Sequence, residues 1–323
     1  MAAYIARRLI WMVFLLFVIT LITFIIFSVL PSGDPAVQRA GRQPSPEAIE
    51  LIRRRFGLDK PLHIQFINYI GDILPFLGGN GVYFGFSYQN STDVLPEILK
   101  RLPATIFLTA GAVVLWLAIG IPLGVLTAIK AGTWVDKFSM ALALIFISAP
   151  VYFFGLVALF LFDDQIGKWK ILPGNSAYDA ASGFFGKAEA LIMPWVVLAA
   201  AFAAIYARFL RGNLIDTLQE DYIRTARAKG LSERRVVFRH GVRSAITPIV
   251  TLLGLDIGIL LGGAILTETV FNIPGIGRYA YNAIVQSDLP VIQGTVLFGA
   301  FFIVSMSLIV DILYAFIDPR VRY

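Results

Sequence analysis

Six stretches of the chain stay apolar for long enough to cross a lipid bilayer. The first, residues 9–30, is interrupted only by Thr20, Thr23 and Ser28. At about 1.5 Å per helical residue it matches a hydrocarbon layer of about 30 Å. Further runs at 103–129, 138–162, 191–210, 246–270 and 291–317 are predominantly apolar and bounded by charged residues, Gly or Pro. The pattern predicts an all-α polytopic membrane protein with six transmembrane helices.

Arg7 and Arg8 precede the first span with no acidic residue beside them, which places the N-terminus in the cytoplasm. A cleaved secretory leader is the competing reading. The run is too long for one and no small-x-small pattern follows it, so it is read as an anchor. An even number of spans returns residues 318–323, with Arg320 and Arg322, to the same side. The expected organisation is a cytoplasmic N-terminus and first helix (1–30), an extracytoplasmic insert (31–102), a five-helix core (103–317) and a cytoplasmic tail (318–323).

The insert reads as a small helical segment. Ser45-Pro46-Glu47 has the form of an N-cap with Pro at the first helical position, Gly57 ends that helix, and Pro61 opens an amphipathic stretch through Leu74. Gly78, Gly79, Gly81 and Gly85, interleaved with Tyr83, Phe84, Phe86 and Tyr88, predict a compact loop at the headgroup level.

Composition agrees with lipid as the solvent: 58% of the 323 residues are hydrophobic and 15% charged, and the mean hydropathy is +0.76. There is no cysteine, and histidine occurs only at His63 and His240. Disulfides, thiol nucleophiles and Cys/His metal sites are therefore excluded for this chain alone. The net charge of +6 is concentrated at residues 208–243, which hold nine Lys/Arg against four Asp/Glu. The insert's eight Lys/Arg are nearly balanced by seven Asp/Glu, and a long loop escapes the positive-inside rule.

Within the basic loop 211–245, Asp221-Tyr222-Ile223-Arg224-Thr225-Ala226-Arg227-Ala228-Lys229 reads as a short helix, Gly230 as its stop, and Ser232 as the N-cap of a second. Small Ala226 and Ala228 allow close approach of a partner, Leu231 and Phe238 are expected to fill an apolar slot, and the arginines to meet acidic groups around it. Two plainer readings compete. The arginines serve topology alone, or the pair of helices reads DNA, which tethering at both ends to spans disfavours.

These segments resemble the inner-membrane permeases of binding-protein-dependent ABC importers, in their dipeptide, oligopeptide and nickel branch. The resemblance runs from Tyr4-Ile5-Ala6-Arg7-Arg8-Leu9 through Phe56-Gly57-Leu58-Asp59-Lys60-Pro61-Leu62, Arg101-Leu102-Pro103-Ala104-Thr105, Gly120-Ile121-Pro122-Leu123-Gly124 and 221–230 to Asp318-Pro319-Arg320-Val321-Arg322-Tyr323. It implies a type I importer permease fold in a bacterial or archaeal plasma membrane. It also implies a second homologous permease subunit, two cytoplasmic ATPase subunits carrying ATP and Mg, and an extracytoplasmic binding protein. The family's loop carries Glu-Ala-Ala-x-x-x-Gly, a coupling helix seated on the ATPase. Here Gly230 and Ala226 match, while Arg224 and Thr225 replace the Glu and the first Ala. The resemblance makes di- or oligopeptides the expected cargo, with nickel chelates or oligosaccharides as alternatives.

No Gly-x-x-x-x-Gly-Lys-Ser/Thr occurs, so energy enters through a partner and no catalytic, cofactor or metal residue is expected in this chain. Asp256, Glu268 and Asp311 fall in or at the ends of predicted spans, where an ionised group is costly unless it faces water or a partner. Asp256 and Glu268 are candidates for the translocation path, against the plainer role of an interhelical hydrogen bond. Gly120, Pro122, Gly124 and Pro150 are hinge candidates, and Gly258, Gly262 and Gly263 are candidates for close packing on a second subunit. A secondary transporter would need paired ion-coupling acids, and an intramembrane enzyme a nucleophile or metal constellation. Neither pattern is present in the spans.

Overall fold

The computed structural model describes residues 2–29, 36–37, 45–55, 57–74, 82–87 and 89–317. The expectations for Gly78, Gly79, Gly81, Tyr88 and the tail 318–323 lie outside the described residues. Helix α1 (Ala2–Phe24) passes into a π turn (Ile25–Val29), followed by α2 (Pro46–Arg55) and α3 (Leu62–Ile73). Strands β1 (Phe86–Ser87) and β2 (Thr92–Asp93) form an antiparallel hairpin in the register Phe86 to Asp93. Then come α4 (Val94–Ile129), α5 (Trp134–Ser148), α6 (Val151–Phe162), α7 (Ala177–Ala180) and α8 (Gly183–Thr217). The short α9 (Asp221–Ala228) and α10 (Glu233–Arg235) lead through a π turn (Val236–Gly241) into α11 (Val242–Ala245). The chain closes with α12 (Thr247–Leu261), α13 (Ile265–Val270), α14 (Ile276–Gln286) and α15 (Leu289–Ile317).

Four helices are long and apolar enough to span a membrane, and two bent pairs raise the number to six if each is one span. Each of the six sequence stretches is helical over most of its length, with several bounds revised. Helix α4 starts at Val94 instead of 103, because Val94 and Ile98 recur at helical spacing and are fully buried. Their packing outweighs the hydrogen bond that Pro103 deletes. The third stretch is broken: Ala149 and Pro150 are both extended (ψ 139° and 141°), as expected for a residue driven out of the helical region by a following proline. Helices α5 and α6 meet there at 98°. The fifth stretch ends at Leu261, where Gly263 at φ +128° turns the chain into α13.

The chain divides into two compact units. One comprises residues 1–105, 258–269 and 274–308. Its core joins Val94 and Ile98 of α4, Ile276, Tyr279 and Ala283 of α14, and Val291 and Phe298 of α15. Phe24 of α1 rests on Phe66 and Tyr69 of α3 at ring separations of 5.2 and 5.7 Å. The insert helices follow the sequence reading: the Ala48 N–H donates to Ser45 Oγ at 3.2 Å, and Gly57 ends α2 at φ +60°. A Cβ on Gly258 would stand 3.0 Å from the Ile303 Cα, and one on Gly262 3.0 Å from the Gly299 Cα. Close approach at these glycines is thus taken up inside the chain.

The other unit comprises residues 106–257, 270–273 and 309–323, with α8 as its core. Trp116 stacks on Phe202 at 4.6 Å. The smallness of Gly120 and Gly124 lets α4 lie on α8: added Cβ atoms would meet the Ala203 and Ala207 carbonyl oxygens at 2.9 and 2.8 Å. Helix α4 runs unbroken through Pro122, so of the hinge candidates only Pro150 interrupts a helix. After α6 the buried Asp163 ties residues 163–175 into a closed loop, its Oδ1 accepting from the N–H groups of Gln165 and Ile166 and its Oδ2 from Asn175, at 2.8–2.9 Å.

Burial pushes the Asp163 carboxyl up, but the N–H groups of Asn175, Ile166 and Gln165 outweigh it and hold the group below the ordinary value of 3.8. A depressed folded-state pKa stabilises the fold fully above the unfolded value and is lost as pH falls through the folded one. Amide exchange at Ile166 and Asn175 is therefore expected to be pH-insensitive, after correction for intrinsic rates, above about pH 5 and to accelerate below about pH 4. In Asp163→Ala it is expected to be fast at every pH, with a loss of about 1–3 kcal/mol in thermal denaturation.

Candidate functional site

The basic loop folds as a small structure of its own at the end of α8. Ile223 and Ala226, on one face of α9, pack with Val236, and Leu218 and Leu231 close the cluster. The helix stops where expected: Gly230 stands at φ +76° and its N–H donates to the Arg227 carbonyl at 2.9 Å. Arg227 holds the turn. Its Nη2 and Nε donate to the two carboxylate oxygens of Glu233 at 2.7 and 3.1 Å, and Nη1 to the Leu218 carbonyl at 3.3 Å. The Glu233 carboxylate raises the already high Arg227 pKa, so this contact keeps its charge at any physiological pH. Ser232 takes the N-cap position of α10 through its carbonyl, with no side-chain cap bond.

The partition of this loop differs from the sequence reading in two places. Ala226 is buried and Leu231 is half-buried against the internal cluster, so neither is presented outward. A helix of eight residues has one face to bury, and Ile223 and Ala226, three apart, take it. The outward face carries Tyr222, Thr225, Ala228 and Lys229, together with Asp221, Arg224 and Gly230, while Phe238 beyond α10 is 55% exposed. Arg224 pairs with Asp221 at 3.3 Å, a surface contact of little energy.

Three polar contacts lie outside the folded part of the loop, and that of Glu268 is fully buried. Asp136 at the start of α5 receives a forked pair from Arg211 of α8, Nε to Oδ1 at 2.6 Å and Nη2 to Oδ2 at 2.7 Å, and the Gly132 N–H at 2.8 Å. Asp256 of α12 accepts the Tyr206 hydroxyl at 2.7 Å through Oδ2, leaving Oδ1 without a partner among the described residues. Glu268 is 0% exposed. It accepts from Thr105 Oγ1 at 2.8 Å and from the Arg278 N–H at 2.9 Å, and Thr105 in turn accepts the Ile276 N–H at 2.9 Å. Glu268 and Thr105 thereby cap the N-terminus of α14. Gly275 is required there, since a Cβ would fall 2.3 Å from the carboxylate. Asp311 lies half-buried in α15.

The sequence singled out Asp256 and Glu268 by depth alone and missed their partners, which lie 50 and 163 positions away. The run Pro274-Gly275-Ile276-Gly277 was the available signal for a crowded helix start. Asp136 and Arg211 gave none. Among the described residues no group of three or more His, Asp or Glu side chains could hold a metal ion.

Apolar helices of spanning length, joined by a basic loop with its own hydrogen-bonded core, define a multi-pass membrane protein. The chain belongs to the family of binding-protein-dependent transport system inner membrane components: the family model matches residues 120–323, and the model of the family's N-terminal region matches residues 1–109. It is 38% identical over 323 residues, 100% of both chains, to the glutathione transport system permease protein GsiC of Escherichia coli K12, and equally to that of Salmonella typhimurium LT2. A solved structure described as an amino acid ABC transporter with histidines matches at a TM-score of 0.50 and 16% identity, over 70% of this chain and 94% of that one, and supports the fold. The chain is thus a non-catalytic, inner-membrane permease subunit of an ABC importer, a family that works with ATPase subunits and a binding protein.

Arg227→Lys keeps the charge but cannot reproduce the fork to Glu233 and Leu218. Hydrogen exchange at Gly230 and Leu231 is expected to accelerate about fivefold, a local loss of about 1 kcal/mol, with global denaturation unchanged.

Proposed function

We propose that this chain is one of two homologous permease subunits, both termini cytoplasmic, that together import short peptides delivered by an extracytoplasmic binding protein. The observation that carries the reading of cargo is the full-length 38% identity to permeases named for glutathione, itself a tripeptide. In this arrangement residues 31–102 lie outside and loop 211–245 lies in the cytoplasm. The loop's surplus of basic residues supports that orientation.

The exposed face of α9, with Gly230 beyond it, is the seat on an ATPase subunit. Because the loop is tied to α8 through Leu218, and α8 to α5 through Arg211 and Asp136, a displacement of the seat is carried into two spans as one rigid movement. The ATPase biases this bundle between two states by binding one of them more tightly. Asp256, with one carboxylate oxygen free of partners, is the path residue. Glu268, with its oxygens committed to Thr105 and the start of α14, frames the path.

Reconstitution with the neighbouring permease, ATPases and binding protein is expected to give ATP-dependent uptake of glutathione or di- and oligopeptides. Uptake restricted to nickel chelates or oligosaccharides would overturn the cargo. An added Cβ at Gly230 meets no atom within 4 Å, so Gly230→Trp strains the chain itself by only about 1–2 kcal/mol. Its binding-protein-stimulated ATPase rate is nonetheless expected to fall at least tenfold, and an unchanged rate would remove the loop from coupling. Asp256→Asn keeps an acceptor for Tyr206 and is expected to slow uptake of cationic peptides about tenfold more than neutral ones at equal abundance.

A further inference from the structure

A second polar feature lies at the first turns of α4, within the unit that contains α14. A cavity of about 180 Å³ opens between the β1–β2 hairpin, the first turns of α4 and one face of α14. The hairpin contributes Asn90 and Thr92, α4 contributes Glu97 and Arg101, and α14 contributes Tyr279 and Asn282. The space is large enough for several waters, or for one small organic group.

The walls are fixed. Ser87 donates to Asp288 in a short hydrogen bond, and Asn90 donates its N–H and Nδ2 to Ser87 Oγ at 3.1 and 3.2 Å. The Gln89 amide donates to the Gln286 carbonyl at 2.5 Å. The hairpin is thereby fastened to the C-terminal end of α14, while Val94 and Ile98 bury the adjoining face of α4 with Ile276 and Ala283.

Two hydroxyls in this wall are unsatisfied. Tyr279 is 7% exposed, and among the described residues neither its Oη nor Thr92 Oγ1, both closed to solvent, has a hydrogen-bond partner. Leaving such a group unpaired costs about 1–3 kcal/mol, so two around one cavity mark a place where a partner from outside the chain is accommodated. Arg101 supplies the charge. Its guanidinium lies 4.2 Å from the Tyr279 ring centroid, and only Nη1 is engaged, by the Glu97 side chain and carbonyl. Nε and Nη2 bond to nothing among the described residues, and such a planar fork matches a carboxylate. Glu97 beside it offers a place for an ammonium.

We propose that this cavity is a receiving site for the carboxylate-bearing end of a small zwitterionic solute, the terminus of a short peptide, on its way into the permease. The site deepens the peptide-import reading and rests on it: with residues 31–102 outside, the hairpin and the start of α4 face the compartment from which cargo arrives. Arg101 takes the carboxylate, a small turn of the Tyr279 and Thr92 side chains brings their closed-off hydroxyls to the adjoining amide, and Asn282 stands at the rim.

The test uses the complete complex in lipid nanodiscs, without binding protein, probed by ligand-observed NMR with alanyl-alanine, its C-amidated form and its N-acetylated form. Saturable contact with alanyl-alanine is expected, weakened about 3- to 10-fold by C-amidation and by either Tyr279→Phe or Thr92→Val. That is the loss of one hydrogen bond of about 0.5–1.5 kcal/mol. Neither hydroxyl has a partner among the described residues, so both variants are expected to keep or raise the thermal midpoint. No saturable contact up to tens of millimolar, as for a cavity filled by water alone, overturns the proposal. So does contact indifferent to amidation and to both variants, or a lowered midpoint in both. Peptide uptake measured in the same complex separates the two readings: uptake without contact at the cavity overturns the receiving site alone, and contact without uptake overturns peptide import alone.

Discussion

A lipid interior offers no hydrogen bonds, so a chain that enters it must satisfy its polar groups from its own atoms. The arrangement described above follows from that constraint. Thr20, Thr23, Thr127 and Thr295 return their hydroxyls to carbonyls four residues back, at 2.6–2.8 Å. The Trp195 indole N–H finds the Phe107 carbonyl. The larger polar groups are matched across helices: Arg211 to Asp136, Tyr206 to Asp256, Thr105 to Glu268. Each match fixes a distance between elements as firmly as packing does. Glycine is the complementary device, letting helices approach until backbone meets backbone, as at Gly124 and Ala207.

The basic loop obeys a different economy. In water a short helix is marginal by itself, and α9 has only eight residues. It persists because Ile223, Ala226 and Val236 give it a private core and because Arg227 closes it against Glu233 and the end of α8. A seat for a partner has to be stiff if movement at one end is to appear at the other, and here stiffness is built from one guanidinium and a few aliphatic side chains. The basic side chains outside that core remain at the surface.

Much of this was legible in the sequence. Apolar length gave six stretches because lipid exposure demands it, and the Ser45, Gly57 and Gly230 signals marked helix ends because capping and left-handed backbone are local chemistry. What sequence could not supply was pairing at long range. Val94 and Ile98 looked like part of a polar insert until α14 was seen to bury them. Ala226 looked like a contact surface because smallness on an exposed loop has the same signature as smallness in a core. Proline interrupts a helix at Pro150 and is carried within one at Pro103 and Pro122. Whether a helix survives the loss of one hydrogen bond depends on neighbours far away in the chain. The hairpin of β1 and β2 has only two residues in each strand, too few for alternation to appear.

The break at Pro150 has a consequence for biogenesis. Helix α5 has 15 residues and α6 has 12, or about 22 and 18 Å of helix, each short of the hydrocarbon thickness of about 30 Å. Neither half alone crosses the hydrocarbon layer as a straight helix. Both lie against α8, which is made later, so this part of the chain reaches its final depth only after the following span has left the ribosome. A nascent chain truncated before α8 would therefore offer the quality-control machinery an unfinished segment between Trp134 and Phe162.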